Sequence, residues 1–371
     1  MPLEITPYSP NHVASVLELN ARFAKLETAY HFPESPVPVW LPKLSERKIF
    51  QEFFVASDAG TVRGGYIFKR QDFWLQGKVL SLGNLSLPLS EGFLDPKYVS
   101  LGVSLYLHAI KHEPRMYVLG IGYREEPFAK LLVNAGWTIW DVPFFVKIIK
   151  PSRALRNIGP LRRTATRRCI LDALAFTGIG SLAVRAGQYL LSRKHRQPVV
   201  DYRSESFTTF DTWVNELWQE TQQQYSLSAV RDAETLNILY PESSRFLRLR
   251  VVQSDHIVGW ATMLCTQMRD HKFFGNLKVG TVVDCDALPE AATAVVLAAE
   301  KRLREAGAEI VLTNQAHENW QAAVRAAGFV ERPSNFLFAV SKKFKEVMNT
   351  TPEEMSRIHW TRGDGNGPFN L

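Results

Sequence analysis

The sequence predicts an α/β (α+β) protein made of two copies of one domain, each a mixed, mostly antiparallel sheet with one parallel strand pair and flanking helices. Two sequence anchors repeat at nearly equal spacing. Val62-Arg63-Gly64-Gly65-Tyr66 matches Ile257-Val258-Gly259-Trp260-Ala261, which places the glycines 195 residues apart. Leu131-Leu132-Val133-Asn134-Ala135-Gly136-Trp137 matches Ala323-Val324-Arg325-Ala326-Ala327-Gly328-Phe329, an offset of 192. The third observation is that the same order of elements can be read in both halves, on either side of a strongly basic segment.

Each half opens with an amphipathic helix, residues 10–25 and 210–224. A hairpin follows, 53–55 with 61–69 and 247–253 with 257–265. Its turns are Ser57-Asp58-Ala59-Gly60 and Ser254-Asp255-His256, residues that tolerate left-handed backbone or bond their own chain. A third strand is expected at 79–87 and 277–283, then a long helix at 101–111 and 290–306, then a short apolar strand at 116–121 and 309–312. The next helix ends at the repeated glycine, where a left-handed cap is least strained. A last strand, 144–149 or 336–340, is expected to close its own half. Strand, helix, strand with short connections implies one parallel pair in an otherwise antiparallel sheet. The divisions read this way are 1–150, a connector 151–199, a second domain 200–345 and a tail 346–371.

Length and composition agree. With 371 residues, 46% hydrophobic and 22% charged, the chain suits two globular cores. Its first residues lack the basic and apolar regions of a signal peptide, and no stretch reaches the roughly 18 apolar residues of a membrane span. Cys169, Cys265 and Cys285 are isolated, so neither a disulfide framework nor a metal site is indicated, and a reducing cytoplasm is the expected compartment. The net charge of +7 is unevenly placed. Residues 147–196 hold twelve bases against Asp172 alone, so that segment carries +11 and the rest of the chain −4. Such a patch points to a local contact.

The element order and the helices ending in Ala-Gly-Trp and Ala-Gly-Phe resemble the GCN5-related N-acetyltransferase (GNAT) superfamily, over about residues 1–150 and 200–345. Val283-Asp284-Cys285-Asp286, Asn314-Gln315-Ala316-His317, Pro333-Ser334-Asn335-Phe336 and Thr361-Arg362-Gly363-Asp364-Gly365 further resemble bacterial tandem-GNAT proteins associated with surface polysaccharide synthesis. The resemblance implies an N-acyltransferase that moves an acyl group from acetyl-CoA or another acyl-CoA to an amine, an amino sugar being one acceptor. In that family two parallel strands splay, pantetheine lies in the gap, and the pyrophosphate rests on the next helix N-terminus, where free N–H groups and the helix dipole favour an anion. The usual signature there is Arg/Gln-x-x-Gly-x-Gly/Ala. The first half offers Lys97, Val99, Ser100, Leu101, Gly102, Val103 and Ser104, with the glycine in place but valine at the basic position. The second half offers Ala287-Leu288-Pro289-Glu290-Ala291-Ala292, with neither glycine nor base. The tyrosine that many members use as general acid is replaced by Leu132 and Val324.

Polar residues gather elsewhere in the second half. Asp284 and Asp286 follow a core strand, and Asn314 and His317 follow the next one, at strand ends where open α/β sheets bind ligands. His317 is a candidate base, with Asp284 and Asp286 as orienting carboxylates or proton acceptors; helix capping and turn roles stand beside these readings. Asn335, Trp360, Arg362 and Asp364 are candidate substrate contacts, since the glycine-rich tail reads as a segment that docks beside this site. The connector has three readings: a packed helical hairpin, an interfacial helix on an anionic membrane through 161–196, which would place the protein peripherally on the inner membrane, and an RNA contact. Nucleic acid is the weakest, because no aromatic residues interleave with the bases for stacking. Two competing functions remain beside acyl transfer from CoA. One is a catalytically degenerate tandem module that binds a glycan or a protein. The other is a Fem-type transferase fed by aminoacyl-tRNA, supported only by the basic connector.

Overall fold

The computed structural model describes residues 3–25, 31–44, 47–197, 201–242 and 245–365. Two units emerge, one of residues 1–140 with 337–350, the other of 141–336 with 351–371.

In the first unit, strands Glu4–Pro7, Phe50–Asp58, Thr61–Leu75 and Lys78–Ser90 form an antiparallel meander. Two tight turns join the last three strands. Ala59 and Gly60, at φ 50° and 80°, make one; Gln76 and Gly77, at 45° and 91°, make the other. Paired positive φ values are what a two-residue hairpin needs to match strand twist. Met116–Ile121 then pairs parallel with Lys78–Ser90, joined to it by helix Leu101–His112. That helix buries Leu101, Leu105 and Ala109 against Phe54, Tyr66, Phe68 and Leu85. Helix Val13–Ala24 presents Val16, Leu19 and Phe23 to a second cluster containing Phe53, Val55 and Val62. At one end of the meander and at the other side of the parallel pair, the order is Glu4–Pro7, Phe50–Asp58, Thr61–Leu75, Lys78–Ser90, Met116–Ile121, Phe336–Val340, Thr138–Asp141.

The second unit repeats the plan. Strands Leu247–Gln253, His256–Gln267 and Lys278–Ala287 are antiparallel, and Ile310–Asn314 pairs parallel with Lys278–Ala287 after helix Ala292–Glu305. Its sheet runs Val330–Arg332, Phe144–Ile148, Ile310–Asn314, Lys278–Ala287, His256–Gln267, Leu247–Gln253, Arg203–Ser206.

The last strands depart from expectation. Phe144–Ile148 does not close the first sheet; it lies antiparallel between Ile310–Asn314 and Val330–Arg332 of the second unit. Phe336–Val340 in turn belongs to the first unit's sheet. Local chemistry explains the exchange. Thr138–Asp141 is joined to Phe144 by Val142 and Pro143. A β-branched residue before proline cannot supply the positive φ pair of a tight hairpin, so the chain leaves the sheet instead of folding back. Pro333 stands at the matching link.

The basic segment also forms structure. Helices Ala165–Thr177 and Ile179–Lys194 meet at 83°, with Gly178 at φ +78° at the bend. They pack within the second unit, where the absent side chain of Gly180 admits Leu155 and Leu174: an added Cβ would lie 2.6 Å from Leu155 and 3.1 Å from Leu174. No single described helix is long and apolar enough to cross a membrane.

The exchange makes a local prediction. Leu337 is buried in the first unit's core with Met116, Trp137 and Ile139. Leu337→Asp should lower stability by about 3 kcal/mol through an unpaired buried charge. Hydrogen exchange should quicken in Met116–Ile121 and Thr138–Asp141, distant in sequence, before it quickens in the adjacent Val330–Arg332.

Candidate functional site

The first unit contains an open fork. Lys78–Ser90 and Met116–Ile121 pair only at Gly83↔Met116 and Asn84↔Tyr117, and beyond these residues the parallel register ends. A bulge marks the same place. Gly65 faces Leu89 while Ile67 faces Ser86, so the strand carries one extra residue there. Leu87 within it has φ 46°, a costly conformation for a bulky side chain. At the root of the fork lies a polar row that the sequence reading passed over. Gln51, Lys69 and Asn84 stand directly opposite one another on adjacent strands, all buried. The Lys69 ammonium lies 5.9 Å from the centre of the Trp40 ring. Gln71, next on the same face, is fully buried with neither amide atom bonded.

Helix Leu101–His112 begins beside the fork, and its first turn is open. Ser100 provides no side-chain cap, and Val99 and Val103 are 73% and 43% exposed. A Cβ added to Gly102 would meet nothing closer than the Ser90 Cβ at 4.0 Å. Internal packing therefore does not require this glycine, whereas close approach of an outside group to the backbone would. Leu101 is wholly buried and anchors the helix. Ser104 Oγ turns back to donate to the Ser100 carbonyl at 3.3 Å. Lys97 is not a free cation: its ammonium donates to Asp58 Oδ2 and Tyr98 Oη, each at 3.1 Å. Hydrogen bonds from Tyr98 and then Lys97 hold the Asp58 carboxyl below its ordinary range.

The second unit has the equivalent fork but fills it with its own chain. Parallel pairing ends at Thr281↔Leu312, again beside a bulge, opposite Thr262 and Met263. The tail bridges the two diverging strands. On one side His359 Nε2 lies 2.9 Å from the Cys285 carbonyl, and Thr361 Oγ1 donates to Asp284 Oδ1 at 3.0 Å. On the other, Arg362 Nε donates to Asn314 Oδ1 at 2.8 Å, and the Ala316 N–H reaches the Trp360 carbonyl at 3.4 Å. Ile358 and His359 add a short parallel strand to Leu227–Ala229. Trp360, Arg362 and Asp364 are all buried. Gly363 is required by contact: a Cβ there would lie 2.0 Å from Tyr240 Oη. Residues 366–371 of the tail lie outside the described residues.

A buried ion triad locks this arrangement. Arg231 donates to Asp284 Oδ1 from Nη2 at 3.0 Å and from Nε at 3.1 Å, and from Nη2 to Asp364 Oδ2 at 3.0 Å. Tyr240 Oη donates to Asp284 Oδ2 at 2.9 Å. Each of the three charged side chains is about 1% exposed. Burial pushes the Asp284 carboxyl upward against the pull of Arg231. Arg231, set between two carboxylates, stays firmly protonated.

Asp286 belongs to a separate cluster. It accepts from Thr221 Oγ1 at 2.6 Å and Tyr225 Oη at 2.7 Å, and burial raises its carboxyl to about 6 despite them. His317 caps helix Glu318–Ala326, Nδ1 accepting from the Asn319 N–H at 3.3 Å. Burial drops its imidazole to about 4. Its ring sits edge-on to Tyr225, on which His359 stacks. Cys285 is buried and its thiol pushed well up. Arg362 has no carboxylate; it lies over the Phe144 and Phe336 rings, and burial brings it down to about 10. Asn335 is half-buried in the link before Phe336–Val340.

The structure thus brings Asp284, Asn314, Trp360, Arg362 and Asp364 into one buried assembly, with Asp286 and His317 next to it; Asn335 directly precedes Phe336, whose ring Arg362 covers. The first helical turn after this fork is closed too: Ala291, Ala292, Thr293 and Ala294 are buried, and Thr293 Oγ1 donates to Gln197 Oε1 at 2.7 Å. Among the described residues, no group of three or more His, Cys, Asp or Glu could hold a metal ion. A cleft of about 450 Å³ lies elsewhere in this unit, lined by Lys147, Arg185, Tyr189 and Arg304 among others, and none of the candidate residues faces it.

No protein-family model and no curated protein matches the sequence. Solved structures do. The chain is similar to a conserved protein from Enterococcus faecalis described as a probable N-acyltransferase, with TM-score 0.52 and 9% identity over 93% of this chain and 74% of that one. It is similar to a GCN5-related N-acetyltransferase from Anabaena variabilis, with TM-score 0.51 and 10% identity over 91% and 72%. It is also similar to Saccharomyces cerevisiae N-myristoyltransferase with bound myristoyl-CoA, with TM-score 0.51 and 10% identity over 92% and 79%. At these identities the likeness establishes the fold: two mixed sheets of GNAT type.

Two outcomes follow from the buried groups. Arg231→Ala should cost about 3–5 kcal/mol in chemical denaturation, because two buried carboxylates lose their cation. His317 has its folded value below its unfolded one, so its contribution is present above pH 6.5 and lost as pH falls toward 4. Between pH 7 and 5 it should remove about 2 kcal/mol of stability. His317→Gln should flatten that acid limb in denaturation curves.

Proposed function

We propose that the chain is an N-acyltransferase that binds an acyl-CoA in the first unit, while the second unit's equivalent cleft is closed by the chain's own tail. The observation that carries this reading is the contrast between the forks. The first has an exposed helix start and a glycine with empty space above it. The second has a buried helix start and strand ends bonded to residues 359–362.

The first-turn N–H groups at Ser100–Val103, with the helix dipole, would hold the diphosphate, and the Ser104 hydroxyl lies beside them. The freed edges of Leu85–Ser90 and Val118–Ile121 would pair with the pantetheine amides. This puts the thioester near the bulge at Leu87, beside Lys69, Asn84 and Ser86. The acceptor nitrogen attacks the thioester carbonyl carbon, the carbonyl oxygen gains negative charge, and the C–S bond breaks to release CoA thiolate. The amine gives its proton to solvent or to the thiolate, which leaves without a tyrosine acid in the place of Leu132. Strand N–H groups at the bulge would steady the oxyanion. An amino sugar is an acceptor that supplies the attacking amine, and a role in polysaccharide synthesis fits that chemistry. In this reading Asp284, Asp286 and His317 hold the second unit together instead of meeting substrate.

Calorimetry with acetyl-CoA and longer acyl-CoAs tests the donor site. The chain should bind at least one. Gly102→Glu, at a position with room for a side chain, should weaken binding more than tenfold by setting a carboxylate against the diphosphate, with the melting temperature unchanged. Absence of binding to every acyl-CoA would sink the proposal.

A further inference from the structure

The helix pair Ala165–Thr177 and Ile179–Lys194 carries two apolar ridges that the second unit leaves uncovered. Leu174, Ala175 and Gly180 face inward. On the first helix Ile170, Ala173 and Phe176 recur every three residues, all exposed; Phe176 is 85% exposed. On the second, Ile179, Leu182, Ala186, Tyr189 and Leu190 follow helical spacing, and Ile179 and Leu182 are 60% and 68% exposed. Spacing of three and four residues puts each set on one face. Phe176, Ile179 and Leu182 flank Gly178, so the bend carries three exposed apolar side chains.

Charge is placed behind this apex. Asp172 is the only acid in residues 161–196, and Arg162 neutralises it with two bonds of 2.6 and 2.9 Å. The other seven bases, Arg163, Arg167, Arg168, Arg185, Arg193, Lys194 and Arg196, are all exposed. Arg167 extends the first ridge and Arg193 the second, each at the end away from the bend. Arg167 precedes Phe176 by nine residues, about 14 Å along a helix. Arg185 stands nearer the bend, three residues past Leu182, with a side chain long enough to reach outward. An apolar tip with its other bases set back matches the depth of a bilayer interface, where side chains enter about 5–10 Å and long cations stay with the headgroups.

We propose that this bent pair is a wedge that docks the protein on an anionic lipid bilayer. The charge pattern selects that partner. A second copy of the chain would set seven bases against seven. A protein interface would call for apolar contact at its centre with few charges, and the one acid in residues 161–196 is already paired with Arg162. Anionic headgroups answer both features, since each base near the surface adds to the attraction. This inference does not depend on the chemistry of the first unit.

Vesicle flotation with the full chain tests it, comparing phosphatidylcholine alone with phosphatidylcholine containing phosphatidylglycerol. The protein should float with the anionic vesicles only and be released by salt. Phe176→Asp with Leu182→Asp, and separately Arg167→Glu with Arg168→Glu, should each weaken binding about tenfold or more without moving the melting temperature. A fluorophore on the exposed Cys169 should shift to the blue when vesicles bind. Equal binding to neutral vesicles, or none to anionic ones, overturns the proposal. Loss of self-association in the Phe176/Leu182 variant without any vesicle binding assigns the face to a second copy. Sensitivity to the arginine reversal alone, with polyanionic RNA competing, assigns it to nucleic acid.

Discussion

The buried contact of Arg231 with Asp284 and Asp364 is the constraint on which the second unit depends. A guanidinium and two carboxylates out of water are costly, and they are tolerated only because nearly every lone pair finds a donor. Tyr240, the Thr361 hydroxyl and the Cys285 N–H complete Asp284; the Thr361 N–H reaches Asp364. Four separated segments of chain must be in place at once for this to hold. The tail is therefore a structural member of the unit, and its docking sets the fate of the fork. Once Thr361 and Asp364 are fixed, His359 and Arg362 are carried onto the two strand edges that the fork would otherwise offer to a ligand.

The strand exchange has a simpler origin. A two-residue link with Val142 and Pro143 forbids a return hairpin, so Phe144–Ile148 must find an edge elsewhere. It finds Ile310–Asn314, and Asn314 then bonds back to the Val142 and Pro143 carbonyls at 3.4 and 3.3 Å. The Ser334 hydroxyl accepts the Phe336 N–H and donates to the Val142 carbonyl, so both crossing links meet within the second unit. Local backbone chemistry at two prolines thus decides the make-up of both sheets.

Most elements could be read from residue patterns. Met116–Ile121 and Phe336–Val340 fall where periodicity puts them, because short apolar runs bounded by turn residues are unambiguous. Sheet membership could not be read, since alternation fixes which face a side chain takes and says nothing about the neighbouring strand. The strand ending at Leu75 was cut short at Lys69 for a related reason. The run Lys69-Arg70-Gln71-Asp72 looks like a solvated end, yet Lys69 and Gln71 are buried. A polar residue inside a sheet is legible only when its cross-strand partners are known, and Asn84, inside the apolar stretch 80–87, was the one available hint. The tail was legible as a docking segment because Trp360, Arg362 and Asp364 are poor material for a solvated end. Its anchor, Arg231, carried no local signal, since its importance comes from residues 53 and 133 positions away.

The two copies began with equal folds and now differ in what occupies the same topological place. Both keep the parallel pair, the bulge and the following helix, so the scaffold that opens a fork is intact in each. In the second copy the tail bonds both diverging strands, at Asp284 and Cys285 on one side and at Asn314 and Ala316 on the other, and such a cleft gains nothing from a ligand unless the ligand outcompetes bonds made without loss of translational freedom. In the first, the helix start is exposed at Val99 and Val103, Leu87 is held in a left-handed conformation, and both Gln71 amide atoms are buried without a bond. Strained and unsatisfied groups persist where the surrounding fold is strong enough to hold them, and they lower the energy of whatever completes them. The asymmetry therefore supports the proposed placement of the donor in the first copy by physical argument, independent of how far either loop departs from a family signature.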